Sequence, residues 1–187
     1  VSMSTGYNYH TIGDIDETSQ EYKDFKLFSR SFYATDELYE FEMTRYGKSL
    51  QGTQTESLYL VYNYSGSNGK GVQTLAMKSA MGDYHLTMDA SSIKGNRDSG
   101  SSATPDLMGC VGKRITFVNE PSGRLNASTI KNLTSNGEFI TGRKLYENNS
   151  TIRIKCMMTL NCNQLPIFDI LDGGVARRVN IIKYDNV

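Results

Sequence analysis

Apolar positions in this chain fall into short runs and helical stripes, divided by polar and glycine-rich stretches. Residues 1–30 are polar and tyrosine-rich, with only weak periodicity. Thr35 or Asp36 can then cap a helix in which Tyr39, Met43, Tyr46 and Leu50 recur at i, i+4, i+7 and i+11, and Gly52 stops it. SLYLVY (57–62) is a short β-favouring run, followed by the glycine-rich YSGSNGKG (64–71). Val72, Leu75, Ala76, Ser79 and Ala80 continue at helical spacing to Gly82, so strand, glycine loop and helix follow without a gap.

The stretch 90–104 (ASSIKGNRDSGSSAT) reads as a mobile loop. ITFV (115–118) reads as a buried strand closing in Asn119, Glu120 and Pro121, and a helix from about Ser128 to Leu133 comes next. From Phe139 to Leu160 strands alternate around the polar turn Glu147-Asn148-Asn149-Ser150, and Val179 to Tyr184 forms a last strand. Buried apolar strands separated by helices predict an α/β fold with a central, mainly parallel sheet flanked by helices.

Composition narrows the class. At 187 residues, 38% hydrophobic and 21% charged, the chain has the make-up of one globular domain rather than a disordered tail. No apolar run approaches the roughly 20 residues of a membrane helix, and the first residues lack a basic start followed by an apolar stretch, so we expect no secretory signal. A start at Val1 is expected of a piece cut from a longer protein. The net charge is zero, but it is unevenly spread. Residues 1–62 carry 5 basic and 10 acidic side chains, whereas 113–155 carry 8 basic and 3 acidic ones. The later segment is therefore a candidate polyanion-facing region.

Cys110, Cys156 and Cys162 show no CxxC spacing and have no nearby histidine, which argues against zinc and for a reducing compartment. Cys156 lies in an apolar run, where a buried thiol is expected. With only His10 and His85, chemistry built on clustered histidines has little material.

SNGKG (67–71) follows a strand and opens a helix, the setting a phosphate-binding loop needs. Glycines let backbone N–H groups approach phosphates, the helix N-terminus favours negative charge, and Lys70 would reach the terminal phosphates. Two positions depart from G-x-x-x-x-G-K-[ST]. Tyr64 stands at the first glycine, with Gly66 available for the turn, and Gly71 replaces the hydroxyl residue that holds magnesium. The alternative is a glycine-rich strand-to-helix turn. A phosphate loop also needs an acidic residue on an adjacent strand, and Glu120, fifty residues after Lys70, suits that role.

In this order the motifs resemble the superfamily 3 helicases, specifically the primase–helicase proteins of poxviruses and other large DNA viruses and their phage and plasmid relatives. SNGKG is similar to that family's phosphate loop, LMGCVGKRITFVNEP (107–121) to its second strand, and LNASTIKNLTSNGEFITGRKLY (125–146) to its most distinctive stretch. NQLP (163–166) resembles the sensor motif, GGVARR (173–178) the arginine-finger motif, and TGYNY (5–9) the segment preceding the ATPase.

The resemblance implies an AAA+-like P-loop ATPase core over 53–187, preceded by an acidic helical segment over 1–52. Gly66, Ser67, Asn68, Gly69, Lys70, Gly71 and Val72 would form the nucleotide loop. Glu120 would polarise the attacking water or hold Mg2+ through water, and Asn163 would orient that water. Arg177 or Arg178 would reach a neighbouring subunit's site. Lys144 and Asn148 or Asn149, on a hairpin around 144–150, would meet the DNA backbone. ATP and Mg2+ are the implied cofactors, and single-stranded DNA, a hexameric homo-oligomer and a primase domain or other replication proteins are the implied partners. The implied location is the host-cell cytoplasm or a viral replication site. Tyr64, Gly71 and Asn119, which removes a second acid beside Glu120, leave the alternative of a catalytically degenerate assembly module.

Overall fold

Local signals set most element boundaries in the computed structural model, which describes residues 2–53, 56–64, 66–94, 105–121, 123–135, 139–144 and 146–184. Ser19 opens α1 (Gln20–Arg30), its side chain accepting from Tyr22 N–H. This helix corrects the reading of weak periodicity over 1–30: Tyr22, Phe25 and Phe28 recur at helical spacing, but Phe25, Leu27 and Phe28 are exposed rather than packed in the core. Thr35 caps α2 (Asp36–Leu50) by accepting from Leu38 N–H, as expected. The predicted stripe is partly displaced: Tyr46 is buried and Tyr39 and Met43 half-buried, but Leu50 is exposed, while Glu42, Arg45 and Ser49 are buried.

The sheet begins with β1 (Leu58–Tyr62), and the glycine loop leads into α3 (Lys70–Met81). Here the expected apolar face is overturned. Val72, Leu75, Ala76, Ser79 and Ala80 face solvent, and the buried positions are Lys70, Gln73, Thr74 and Met81, with Met77 half-buried. Polar residues replace apolar ones on this face because each has a partner in the core. Gln73 hydrogen-bonds Tyr33 and Tyr184, and Thr74 bonds Lys70 C=O and Asn161.

β2 (His85–Met88) was not legible in the sequence; four residues with one exposed and one half-buried position carry too short a pattern. Part of the expected loop over 90–104 is ordered: Asp89 caps a 3-10 turn at Ala90–Ile93, and Ile93 is fully buried. Residues 95–104 lie outside the described residues. After α4 (Pro105–Gly109) come β3 (Ile115–Asn119), β4 (Arg124–Leu125) and α5 (Ala127–Leu133). The chain continues through β5 (Phe139–Gly142), β6 (Ser150–Arg153), β7 (Met157–Cys162), β8 (Ile167–Phe168), α6 (Gly173–Ala176) and β9 (Val179–Lys183).

The central sheet runs β2-β3-β7-β1-β9, with every neighbouring pair parallel. The fold is thus mixed α/β with a parallel five-stranded sheet between helices. Alternation along the strands divides the core. Leu58, Leu60, Val118, Met158 and Leu160 point to the side that holds Leu107, Ile130, Leu133, Ile140 and Ile152, from α4, α5 and the β5–β6 hairpin. Val61, Ile115, Phe117 and Met157 point to the other, against Phe32, Tyr33, Tyr46 and Met81.

Candidate functional site

Parallel pairing brings the C-terminal ends of all five strands to one edge, where α/β sheets bind ligands. Tyr62 lies in register with Cys162, and Asn119 with Asn161, so the loop after β1, Glu120 after β3 and Asn163 after β7 emerge side by side. One expectation changes: β3 is not adjacent to β1, because β7 lies between them. The site still closes, since Asn163 on the intervening strand spans the gap.

Three positions distant in sequence join in one chain of hydrogen bonds. Lys70 Nζ donates to Asn68 Oδ1 at 3.0 Å and to Asn163 Oδ1 at 3.2 Å, and Asn163 Nδ2 donates to Glu120 Oε1 at 3.3 Å. Gly66, Ser67, Asn68, Gly69, Lys70, Gly71, Val72, Glu120 and Asn163 line a cleft of about 360 Å³. A second cleft of about 320 Å³ shares the Glu120–Asn163 wall and continues along Pro121, Gly123, Cys162 and Gln164 to Ile167.

The loop's backbone explains its composition. Gly66, Ser67 and Gly69 have φ of 69°, 48° and 83°, the left-handed region that glycine adopts most readily. A Cβ on Gly69 would stand 2.4 Å from the Phe32 ring, so the turn between α1 and α2 packs directly behind the loop. Glu120 also has a positive φ, 47°, and its N–H donates to Asn161 C=O at 2.7 Å. That combination turns the chain sharply at the end of β3 and leaves the carboxylate at the cleft.

Burial lowers the pKa of Lys70, opposed by the nearby Cys162 and Glu120. Burial in turn pushes the Cys162 thiol up to about 11, against the pull of Lys70. Cys162 is therefore protonated near neutrality, and all three cysteines are free and buried.

Whether the residues fit a nucleotide phosphate can be judged on Asn68. Its side chain is buried, Oδ1 accepts from Lys70, and Nδ2 has no partner among the described residues. An unsatisfied buried donor beside a cation, at the start of a 12-residue helix, suits an anionic oxygen. Magnesium has less to hold it. Gly71 offers no hydroxyl, Thr74 Oγ1 donates to Lys70 C=O, and Asn119 Oδ1 accepts from Asn161, which leaves Glu120 as the carboxylate of the cleft. That arrangement fits an ion held mainly by phosphate and water.

The sequence did not reveal the support beneath the site. Asn161 Nδ2 donates to Thr74 Oγ1 at 2.7 Å and Asn119 Oδ1 at 3.1 Å, bracing α3, β3 and β7 together. Spacing held a signal for both: Thr74 is one turn beyond Lys70, and Asn161 is two residues before Asn163.

The remaining predicted residues lie elsewhere. Arg178 C=O accepts from Leu58 N–H, so the double arginine sits at the opposite end of β1, on the order of 13 Å along that strand. Arg178 is buried and donates to Gly174 C=O and Thr134 C=O, within its own chain. Arg177 is exposed, 3.6 Å from Glu56. Lys144, Asn148 and Asn149 are exposed on the turn joining β5 and β6, with Lys144 3.9 Å from Glu147. Leu145, in the same turn, lies outside the described residues.

No family model matches the chain. It is 31% identical over 186 residues, 98% of its length, to the protein called "Putative helicase L207/L206" of Acanthamoeba polyphaga mimivirus. It is 27% identical over 201 residues to "Putative helicase 022R" of Frog virus 3 (isolate Goorha). The chain spans about a fifth of these relatives, 19% and 20% of their lengths. Among solved structures, two apo structures of the C-terminal region of NrS-1, both of its A form, superpose on 88% of the chain and 38% of their own length with TM-scores of 0.61 and 0.62, at 19% and 18% identity. Those similarities concern the fold. The sequence relatives, from two large DNA viruses, carry helicase names.

Proposed function

We propose that this chain is the ATPase core of a superfamily 3 DNA helicase of the kind large DNA viruses encode. The observation that carries the reading is the Asn68–Lys70–Asn163–Glu120 chain at the C-terminal edge of the sheet. It assembles, from three separated motifs, the cation, the polar water-orienting group and the carboxylate that phosphoryl transfer to water requires. In this reading the N–H groups of the 66–72 loop and Asn68 Nδ2 bind the β- and γ-phosphates, and Lys70 releases Asn163 to meet them. Glu120 then takes the proton of a water that Asn163 orients. When bound, Mg2+ would neutralise phosphate charge, with Glu120 reaching it through water.

Arg177 is exposed and would exchange its surface ion pair with Glu56 for a neighbouring subunit's site, as in a ring. Arg178 instead holds α6 to α5. Lys144, Asn148 and Asn149 contact the backbone of single-stranded DNA, a contact that carries no sequence information. The helicase names of the viral relatives support the same reading.

The deciding experiment is ATP hydrolysis by the purified protein with and without single-stranded DNA. Stimulation by DNA, and its loss together with basal turnover in Lys70→Ala at unchanged thermal stability, is the expected result. Turnover unaffected by Lys70→Ala would overturn the assignment. A second reading, a degenerate assembly module, is favoured by Gly71 and by the engaged Thr74 hydroxyl. It predicts no hydrolysis in the wild-type protein with or without DNA.

A further inference from the structure

The β5–β6 hairpin carries more than the polar and charged groups assigned to DNA. Its register sets Phe139 opposite Arg153, Ile140 opposite Ile152, and Thr141 opposite Thr151. Ile140 and Ile152 are buried in the core, so Phe139, Thr141, Thr151 and Arg153 form the solvent face. On that face Phe139 is 70% exposed, and the Arg153 guanidinium stands 5.2 Å from its ring centroid. The two threonines beyond them are small and leave the face open.

In the turn, Tyr146 is 96% exposed with φ of 62°. Left-handed backbone is disfavoured for a tyrosine by about 1–2 kcal/mol. Single exposed aromatics are ordinary on protein surfaces. Here, however, two aromatic rings share one short element with a marked charge excess. Between residues 139 and 155 stand Arg143, Lys144, Arg153 and Lys155 against Glu147 alone. The Tyr146 ring and the side of the Phe139 ring away from Arg153, with cations among them, complement a ligand that has both phosphates and π-faces. Unpaired nucleotides present both, whereas in a duplex the base faces are stacked away.

We propose that the solvent face of this hairpin, with Tyr146 in the turn and the Phe139–Arg153 pair at the base, stacks on the bases of single-stranded nucleic acid. The inference rests on the helicase reading and deepens it. The phosphate contacts of Lys144 give salt-dependent attraction, and the rings add a contact that needs a base but not a particular one. Arg153 holds the Phe139 ring from its own strand and supplies charge beside it.

The test compares two labelled oligonucleotides of equal length and charge, one of thymidines and one abasic, by fluorescence anisotropy with the full chain. Wild-type protein is expected to bind the thymidine strand at least about fivefold more tightly, and Tyr146→Ala and Phe139→Ala each to reduce that ratio by about fivefold or more. Tyr146→Phe should retain the ratio, and Lys144→Ala should weaken both strands alike. Both aromatic side chains are exposed, so the alanine variants are expected to fold. Equal wild-type affinity for the two strands, or an unchanged ratio in both alanine variants, overturns the stacking platform and leaves the helicase reading standing. Failure of the wild-type protein to bind either strand overturns both.

Discussion

At the scale of single residues, identity is set by backbone geometry and by what each polar atom finds to bond. Gly69 illustrates the first. Its φ of 83° and its contact with Phe32 both exclude a side chain. Gly69→Ala is expected to cost about 1–2 kcal/mol from the backbone alone, with more from the ring contact. Because Phe32→Ala by itself removes a buried ring, the contact is read from a double-variant cycle in urea: Gly69→Ala should cost less in the Phe32→Ala background than in wild type, yet still about the 1–2 kcal/mol of the backbone. His85 illustrates the second. It is buried against Phe117, and Nε2 has no partner among the described residues. Burial, with Lys78 and Lys113 nearby, lowers its pKa below the ordinary 6.5. The unfolded chain therefore binds a proton at a pH where the folded chain does not, so stability falls as pH drops below about 6.5 and levels off beneath the folded pKa. Thermal denaturation from pH 7.5 to 5 should show this loss, and His85→Phe should flatten it. A wild-type profile as flat as the variant's would refute the assignment.

At the scale of elements, the helices on the phosphate-loop side are held by polar contacts as much as by apolar stripes. Arg45 on α2 bonds both oxygens of Glu42, at 2.6 and 2.7 Å, and donates to Thr159 on β7 at 2.8 Å. Tyr184, after β9, meets Glu42 at 3.2 Å and also bonds Gln73 on α3, which in turn donates to Tyr33. Residues before position 52 thus share a buried network with the helix that carries Lys70. Removing Arg45 leaves buried Glu42 without its counter-ion, with the Tyr184 hydroxyl as a remaining partner. Arg45→Met is expected to destabilise by about 3–5 kcal/mol, and Glu42→Gln/Arg45→Met by clearly less. Chemical denaturation of the two variants checks the ordering. This network is also why the face of α3 could not be read from hydrophobicity: a burial rule passes over Gln73 and Thr74, whose value lies in partners up to 111 residues away.

At the scale of the whole molecule, the parallel sheet separates two ends. Lys70, Asn163 and Glu120 lie at the C-terminal edge, and Arg177 at the far end of β1. An arginine that assists hydrolysis from there must serve another copy. Neither Lys70→Ala nor Arg177→Ala protein should hydrolyse ATP efficiently alone, while mixtures should recover activity at interfaces that join an intact loop to an intact arginine. Absence of recovery at every ratio, with assembly verified by light scattering, would remove Arg177 from the site. The charge pattern acts at this scale too, because the acidic first 62 residues offset a basic segment that includes the hairpin. Neutrality of the total therefore says little about a polyanion partner.

The sequence by itself determined what depends on near neighbours. These are the cap at Thr35, the strand–loop–helix passage through SNGKG, the buried run ITFV before Glu120, and the β-rich hairpin region. Each is encoded by hydrogen bonds or side-chain alternation within a few residues. Only the tertiary structure decided that β7 separates β1 from β3, that Asn163 bridges Lys70 to Glu120, that α3 buries its polar face, and that Arg178 is spent on its own chain. Those outcomes depend on which strands pair and which distant donors meet which acceptors. They follow from packing the whole sheet at once, which no local pattern records.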